Sequence, residues 1–362
     1  MHQPSSSLIP DGFSRNGAKD GAKGRRLRVG KVSPNPGGLE RLEFAPKGLP
    51  AGAPLVVVLH GCTQTAEAYA SGAGWLDLAE RHGFAVLCPQ QAATNNPNRC
   101  FNWFLESDTA RGCGEAASIA AMVRAAVSDH GSDPGRVFIT GLSAGGAMAG
   151  VLAATYPELF AGVGIIAGLP YGAASTMGEA FAAMTNLRAR TASEWGDTVR
   201  AASAHQGPWP SISIWHGDGD MTVRPASAEA LVAQWTDVHS PAEAQHRQSA
   251  DGRAFEAWVA SDGRQVVELH RIAGMGHGTP VQTRGPQACG AAGPFLLDVN
   301  VGSSREMART WGILNEDERL AHDLPGQDAI TNSADRPARE TTVQDRVSRT
   351  IEEALKAAGL LR

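Results

Sequence analysis

The segment Arg136-Val-Phe-Ile-Thr-Gly-Leu-Ser-Ala-Gly-Gly-Ala147 decides the fold of this 362-residue chain. Its apolar start, Val137-Phe138-Ile139, is typical of a buried strand, and small residues from Ala147 to Thr155 predict a helix. Between them lies Gly-x-Ser-x-Gly, a motif that also arises by chance but that marks a nucleophile elbow where a strand leads into a helix. Glycine is needed at both ends because a side chain there would collide with the neighbouring strand or helix. We therefore predict Ser143 as a nucleophile, against the alternative of an incidental serine in a glycine-rich turn.

Outward from this segment, short apolar runs alternate with longer amphipathic stretches. Leu55-Val-Val-Val-Leu59 is a continuous apolar run, as expected for a strand buried on both faces. Further strands are predicted at residues 39–45, 84–88, 163–166, 212–215 and 266–272, with helices at 75–82 and 115–130. Alternation of this kind predicts the α/β class and an α/β-hydrolase fold, with a mainly parallel sheet flanked by helices on both faces. Residues 171–209 interrupt the alternation, and we expect them to form helices above the carboxyl edge of the sheet.

A serine hydroxyl needs a histidine to remove its proton, and in this fold class the histidine follows the serine along the chain. Seven histidines follow Ser143, namely His205, His216, His239, His246, His270, His277 and His322. His277 lies in Gly274-Met-Gly-His-Gly278, directly after a predicted strand, where a loop could bring it to the elbow. His270 lies inside that strand and is expected to be structural. We predict His277 as the base.

An acidic partner for the histidine is expected after another strand. The loop His216-Gly-Asp-Gly-Asp220 follows the strand at residues 212–215. Either Asp218 or Asp220 could orient the imidazole and stabilise its charged form. Spacing alone does not separate the two, and one of them is expected to form a turn.

The tetrahedral intermediate of acyl transfer requires backbone N–H donors, and two positions supply candidates. One donor comes from the residue after the nucleophile, here Ala144, and the second from the loop after the first parallel strand. That loop reads Leu59-His-Gly-Cys-Thr-Gln64, and Gly61 permits close approach of the backbone. We predict that Cys62 contributes its N–H. A cysteine nucleophile at position 62 is the weaker alternative because no elbow surrounds it.

Composition and charge exclude several classes of partner. The formal net charge of −5 gives no reason to expect nucleic-acid binding. No stretch reaches the roughly 20 apolar residues of a membrane span. Residues 1–38 form a polar, flexible tail by prediction and contain no apolar core of a signal peptide. The chain as written is therefore expected in the cytoplasm, or outside the cell if a signal has been lost.

The five cysteines are Cys62, Cys88, Cys100, Cys113 and Cys289. Since their number is odd, at least one has no partner within the chain. Cys100 and Cys113 are close enough in sequence to form a loop-closing disulfide, although reduced, mostly buried thiols are the expectation for a cytoplasmic protein.

The predicted organisation is a tail at residues 1–38, a catalytic domain at 39–315 and a C-terminal extension at 316–362. The extension carries Val343, Val347, Ile351 and Leu355 at four-residue spacing, which predicts an amphipathic helix at residues 342–360. This helix is expected to dock on its own domain or, as the alternative, to join two copies into a homo-oligomer.

With these segments assembled, the chain resembles the catalytic domains of short-chain polyhydroxyalkanoate depolymerases, a family that includes feruloyl and acetylxylan esterases. The matching segments are Leu59–Gln64, Asn102-Trp-Phe104, Arg111 with Gly114-Glu115, Thr140–Gly146, Ala167-Gly-Leu-Pro170, Trp215–Asp220 and Gly274–Pro280. They span roughly residues 40–315 in order, so the match is specific.

The resemblance implies several residue roles. It assigns the catalytic aspartate to Asp220 rather than Asp218, and it places Cys62 at the oxyanion position. It suggests that Trp103 and His60 contact the substrate, with Trp103 at the border of the acyl-binding pocket, and a core tryptophan is the alternative for Trp103. It also suggests that Arg111 and Glu115 form a structural ion pair. The expected reaction is hydrolysis of short-chain hydroxyalkanoate esters through an acyl-enzyme, with no cofactor and no metal.

The resemblance also has limits. Secreted depolymerases usually carry a signal peptide, a linker and a polymer-binding domain, so soluble oligomers, amorphous polymer or small esters are the expected substrates here. A feruloyl or acetylxylan type of carbohydrate esterase is the first alternative, and an acyltransferase with the same triad is the second. A non-catalytic binding module is disfavoured because all three triad residues are present.

Overall fold

The computed structural model describes residues 26–241, 243–248 and 253–314. Most strands lie in one ten-stranded sheet, in the order β1-β2-β4-β3-β5-β6-β7-β10-β9-β8. The strands are β1 Arg28–Gly30, β2 Glu40–Phe44, β3 Leu55–Leu59, β4 Ala85–Gln90, β5 Val137–Leu142, β6 Gly162–Ile166, β7 Ser211–Gly217, β8 Glu243–Gln248, β9 Arg253–Val259, β10 Gln265–Ile272, β11 Thr279–Val281 and β12 Leu296–Asp298. The helices are α1 Ala66–Gly72, α2 Trp75–His82, α3 Glu106–Thr109, α4 Gly114–His130, α5 Ala144–Thr155, α6 Met177–Thr185, α7 Ala192–Ala201, α8 Ala226–His239 and α9 Ser303–Thr310.

The centre of this sheet is parallel, as predicted. Strands β4, β3, β5, β6, β7 and β10 run in one direction, whereas the outer strands pair antiparallel. Parallel neighbours require crossover connections, and the helices between these strands supply them. The carboxyl ends of the central strands therefore meet at one edge, and the loops that carry the candidate site residues extend from that edge.

Two hydrophobic clusters cover the two faces of the sheet. Along β3, Leu55, Val57 and Leu59 belong to one cluster, and Val56 and Val58 belong to the other. The alternation follows from the two-residue period of a strand. Helices α4, α5 and α8 contribute to the first cluster, and α1, α2 and α9 contribute to the second. Since both faces are buried, the strand needs apolar residues at every position, which explains its unbroken apolar run.

The observed elements differ from the predicted organisation in the N-terminal tail. Strand β1 lies within the stretch predicted as a flexible tail, and it pairs antiparallel with β2. A three-residue edge strand has too short a pattern to be detected by periodicity. The predicted C-terminal amphipathic helix at residues 342–360 and its oligomeric role fall outside the described residues, as does the start of the tail.

Candidate active site

The elbow after β5 exposes one side chain above a buried turn. Ser143 is partly exposed, whereas Leu142 and Ala144 on either side are buried. Its backbone angles, φ 56° and ψ −117°, fall in a region that residues with a side chain seldom adopt. A Cβ at Gly141 would overlap the backbone of Gly145, and one at Gly145 would overlap the carbonyl oxygen of Leu59. Both glycines are therefore required by the close approach of backbone to backbone, as predicted.

The loops after β7 and β10 lie side by side because these two strands are parallel neighbours. The N–H of Asp218 donates to the carbonyl of Ile272 at 3.2 Å, and the N–H of Gly219 donates to that of Met275 at 3.1 Å. These bonds join the loop that carries Asp220 to the loop that carries His277.

Three predicted residues meet in one hydrogen-bonded chain. His277 Nε2 lies 2.9 Å from Ser143 Oγ, and His277 Nδ1 lies 2.7 Å from Asp220 Oδ2. We assign the imidazole proton to Nδ1 because an ionised carboxylate only accepts hydrogen bonds, which leaves Nε2 free to accept from the serine hydroxyl. Such an arrangement can take a proton from the hydroxyl as the oxygen attacks a carbonyl carbon.

The two aspartates of the loop have different partners. The Asp220 side chain is fully buried, and its Oδ1 accepts from the N–H groups of Thr222 at 2.8 Å and Val223 at 2.9 Å. The Asp218 carboxylate instead accepts from the N–H of Gly274 at 2.5 Å and fixes the start of the His277 loop. Of the two candidates, Asp220 contacts the imidazole, and Asp218 contacts the backbone of the His277 loop.

The other candidate histidines whose side chains the structure describes form no hydrogen bond within this chain of three residues. Buried His216 donates through Nε2 to the carbonyl of Val223 at 2.9 Å, and burial lowers its pKa. His270 stacks on Trp215 with ring centroids 3.7 Å apart, as expected for a structural residue of a strand. His239 pairs with the carbonyl of Pro210 at 3.0 Å, and burial lowers its pKa to about 4. His205 pairs with the carbonyl of Pro208 at 2.9 Å. His216 Nε2 also lies 3.6 Å from Asp220 Oδ2, but His277 is the histidine whose ring nitrogen pairs with Ser143 Oγ.

The candidate oxyanion donors are placed by the elbow and by the loop after β3. Because Gly145 packs against the carbonyls of Leu59 and His60, this loop lies directly against the start of α5. Within the described residues, the N–H groups of Cys62 and Ala144 have no hydrogen-bond acceptor. Ala144 is the first residue of α5, where N–H groups lack partners within the helix and the helix dipole favours negative charge. Both N–H groups are therefore available to an anion.

The cysteine pairing differs from the sequence-based expectation. A disulfide joins Cys62 to Cys100, and Cys113 is free and exposed. The expectation of reduced thiols, and the candidate pairing of Cys100 with Cys113, are wrong because the segment after β4 folds back onto the loop after β3. There the N–H of Thr63 donates to the carbonyl of Asn98 at 2.6 Å. The bond also removes the thiol of Cys62, so a cysteine nucleophile at this position is excluded.

The predicted ion pair between Arg111 and Glu115 is also wrong. Arg111 pairs with Glu158 at 2.7 Å and lies over the ring of Tyr156. Glu115 is buried and accepts from Gln91 Nε2 at 2.5 Å and from the N–H of Asn102 at 2.8 Å. Glu115 is the second residue of α4 and is buried, whereas Arg111 lies before the helix. Burial raises the pKa of Glu115 to about 8, against the two hydrogen bonds that lower it.

Gln91 is a residue of this region that the sequence did not reveal. Its side-chain amide donates both to Glu115 and to the carbonyl of Cys100, at 3.1 Å in the latter case. The buried carboxyl therefore supports the segment to which the disulfide ties Cys62. A lone glutamine after a strand carries no pattern, and only the contacts identify it.

His60 has no exposed surface, contrary to the expectation that it contacts substrate. Its Nδ1 donates to the carbonyl of Gly61 at 2.8 Å, and its Nε2 accepts from the N–H of Gln91 at 3.2 Å. Burial lowers the pKa of His60 to about 4, so the ring is neutral at physiological pH. His60 thus supports the loop after β3 from the protein interior.

Trp103 is 8% exposed and belongs to the same hydrophobic cluster as Ala144. Its ring packs edge-on against Phe104, with centroids 5.5 Å apart. A substrate contact at Trp103 would be limited to this small exposed part, and it remains a prediction.

The sequence is similar to those of known esterases and depolymerases. The sequence model of the family described as esterase PHB depolymerase matches residues 42–258. Poly(3-hydroxyalkanoate) depolymerase C of Paucimonas lemoignei is 46% identical over 290 residues, which cover 79% of this chain and 70% of that protein. An acetylxylan esterase of Coprinopsis cinerea is 31% identical over 264 residues, covering 71% and 70% respectively.

A solved structure agrees at the level of the fold. The acetyl xylan esterase from Aspergillus awamori superposes with a TM-score of 0.66 at 24% identity, covering 79% of this chain and 99% of that one. In the part of the chain that the structure describes, no helix is long and apolar enough to cross a membrane. The family match and the shared fold together show that the chain belongs to the esterase PHB depolymerase family and is a carboxylic ester hydrolase with an α/β-hydrolase fold.

Proposed function

We propose that the protein is a serine esterase that hydrolyses short-chain hydroxyalkanoate esters, namely poly(3-hydroxybutyrate) or its oligomers, through an acyl-enzyme on Ser143. The observation that carries the proposal is the chain of contacts from Ser143 Oγ to His277 at 2.9 Å and from His277 to Asp220 at 2.7 Å. The substrate class is supported by the 46% identity to a poly(3-hydroxyalkanoate) depolymerase.

The first half of the reaction forms the acyl-enzyme. Ser143 Oγ attacks the ester carbonyl carbon while His277 Nε2 takes the hydroxyl proton, and Asp220 stabilises the imidazolium. The N–H groups of Cys62 and Ala144 donate to the oxyanion, each lowering the barrier by about 3 kcal/mol. The bond to the alcohol oxygen then breaks, and His277 returns its proton to that oxygen.

The second half releases the acid. A water molecule attacks the acyl carbon and gives its proton to His277, and the same two N–H groups stabilise the second tetrahedral intermediate. Collapse expels Ser143 Oγ, which regains the proton from His277. The hydroxy acid leaves and the free enzyme is restored, so the mechanism needs no further reactant than water.

An acetylxylan esterase is the competing function, supported by the relative at 31% identity. The two functions differ in the substrate that is turned over fastest. We would measure kcat/KM of the purified protein on 3-hydroxybutyrate trimer, acetylated xylo-oligosaccharide and methyl ferulate, with Ser143→Ala as the blank. The proposal predicts that the trimer has the largest kcat/KM by at least about tenfold. A larger value on the acetylated xylo-oligosaccharide or on methyl ferulate would overturn the proposed substrate class.

A further inference from the structure

The turn Gly293-Pro-Phe-Leu296 holds an aromatic residue in a conformation that favours glycine. The N–H of Gly293 donates to the carbonyl of Leu296 at 3.0 Å, and the N–H of Leu296 donates to that of Gly293 at 2.9 Å. Phe295, the residue after Pro294, has φ 61°. In a turn of this kind the residue after proline is usually glycine or asparagine, because a side chain at positive φ meets its own backbone. A phenylalanine at this φ is strained, and strained backbone conformations are over-represented at functional sites.

This turn is fixed from two sides of the candidate site. The carbonyl of Phe295 accepts from the N–H of Thr279, two residues after His277, at 2.8 Å. The side-chain amide of Gln64 donates to the carbonyl of Pro294 at 3.3 Å, and its oxygen accepts from the N–H of Gly61 at 2.9 Å. The turn is thus tied both to the histidine loop and to the loop that carries Cys62, so the position of Phe295 is set by the site itself.

The ring of Phe295 lies against the imidazole of His277. Their centroids are 6.1 Å apart and their planes meet at 79°, which is the favourable edge-to-face arrangement of aromatic rings. Phe295 is partly exposed. In the proposed mechanism His277 Nε2 delivers a proton to the departing alcohol. A side chain in contact with this imidazole therefore borders the space through which the alcohol leaves.

We propose that Phe295 is a specificity-determining residue, which forms an apolar wall of the subsite for the leaving alcohol. The inference rests on the proposed roles of Ser143 and His277. Glycine would form this turn without strain but would leave no wall. The proposed wall therefore explains why phenylalanine occupies the position despite its strained backbone. The subsite accordingly favours esters of apolar, extended alcohols over esters of methanol.

The test compares two esters that share an acyl group, butyl 3-hydroxybutyrate and methyl 3-hydroxybutyrate. Both give the same acyl-enzyme, so the ratio of their kcat/KM values reports the contact with the alcohol alone. Phe295→Gly and Phe295→Asn both accept positive φ, and both remove the aromatic wall. We expect the butyl-to-methyl ratio to fall by about five- to tenfold in each variant, since burial of a few methylenes is lost.

Ser240→Gly is the matched control because Ser240 also has a positive φ, 47°. Ser240 directly follows α8 and is exposed on the surface. Its butyl-to-methyl ratio should equal that of the wild type. Equal losses on both esters in the Phe295 variants, or no loss, would overturn the inference and leave the proposed function intact. Turnover of either ester by Ser143→Ala would instead overturn the proposed function.

Discussion

Ser143 has a backbone conformation that lowers stability but exposes the hydroxyl proposed as the nucleophile. Its φ of 56° and ψ of −117° place the hydroxyl above the sheet edge, and the N–H of Ser143 is held by the carbonyl of Ile166 at 2.8 Å. A residue with a Cβ in this conformation costs free energy, which the surrounding buried turn must offset. Glycine has no Cβ and adopts these angles without that cost.

We therefore expect Ser143→Gly to be more stable than Ser143→Ala by about 1 kcal/mol, since only alanine retains the strain. Both variants should lose kcat by roughly 10⁴–10⁶. Urea denaturation of the two inactive variants measures the difference without interference from activity. Equal stability, or a more stable alanine variant, would show that the elbow is not strained.

Some residues of the candidate site can be predicted from the sequence, and others cannot. Ser143 and His277 can be predicted as candidates from their positions after buried strands, which the apolar runs reveal. Asp218 and Asp220 could not be separated by spacing, because both lie in the same loop and the choice depends on which carboxylate points to the imidazole. Phe295 belongs to no motif, and its positive φ is a feature of the three-dimensional structure that the sequence does not indicate.

At the scale of elements, the central parallel strands were predictable because each is buried on both faces. Helix α8 was not predicted, since its buried side includes the small or polar residues Ser227, Ala228 and Gln234 beside Leu231 and Trp235. The antiparallel strands β8 and β9 were also missed, because the segment at residues 243–259 mixes charged and apolar residues without a clean alternation.

The loop after β3 shows how a long-range bond can support a site element. Cys62, whose N–H is the proposed oxyanion donor, is joined to Cys100 across a sequence separation of 38 residues. This pairing could not be read from spacing, because it depends on how the segment after β4 folds back. The bond limits the freedom of the loop both in the folded and in the unfolded chain.

Removing this disulfide should lower both stability and turnover. We expect Cys62→Ser and Cys100→Ser to lose about 4 kcal/mol of unfolding free energy, as closure of a loop of this length implies. The kcat of both should fall by roughly tenfold or more, because the N–H of residue 62 is no longer fixed. Denaturation and p-nitrophenyl butyrate kinetics measure the two effects.

Cys113→Ser supplies the control, since that cysteine is free and exposed. It should match the wild type in both assays. Full turnover by the Cys100 variant would contradict the proposed role of the disulfide in holding the oxyanion loop.

At the scale of the whole molecule, buried titratable groups make stability depend on pH. Burial raises the pKa of Glu115 from its ordinary value to about 8. Between about pH 4.5 and pH 8 the folded protein therefore holds a proton that the unfolded chain releases. The contribution of protonated Glu115 to the free energy of unfolding is therefore fully present below pH 4.5, the pKa of glutamate in the unfolded chain. This contribution is lost as the pH rises towards 8.

Glu115→Gln removes this titration. We expect the stability of the wild type relative to this variant to decrease steadily as the pH rises from 4.5 to 8, and to level off above that range. Taking the difference between the two proteins cancels the contributions of the other titrating groups. A difference that is constant with pH, measured by urea denaturation, would contradict a raised pKa at Glu115.

The proposed mechanism requires an acyl-enzyme at Ser143. The most direct measurement is a rapid acid quench of the protein during turnover of p-nitrophenyl butyrate, followed by digestion and mass spectrometry. We predict a butyryl group on the peptide that contains Ser143, and none in Ser143→Ala, which should also show no turnover. A butyryl group on a different residue, or undiminished hydrolysis by Ser143→Ala, would contradict the central claim.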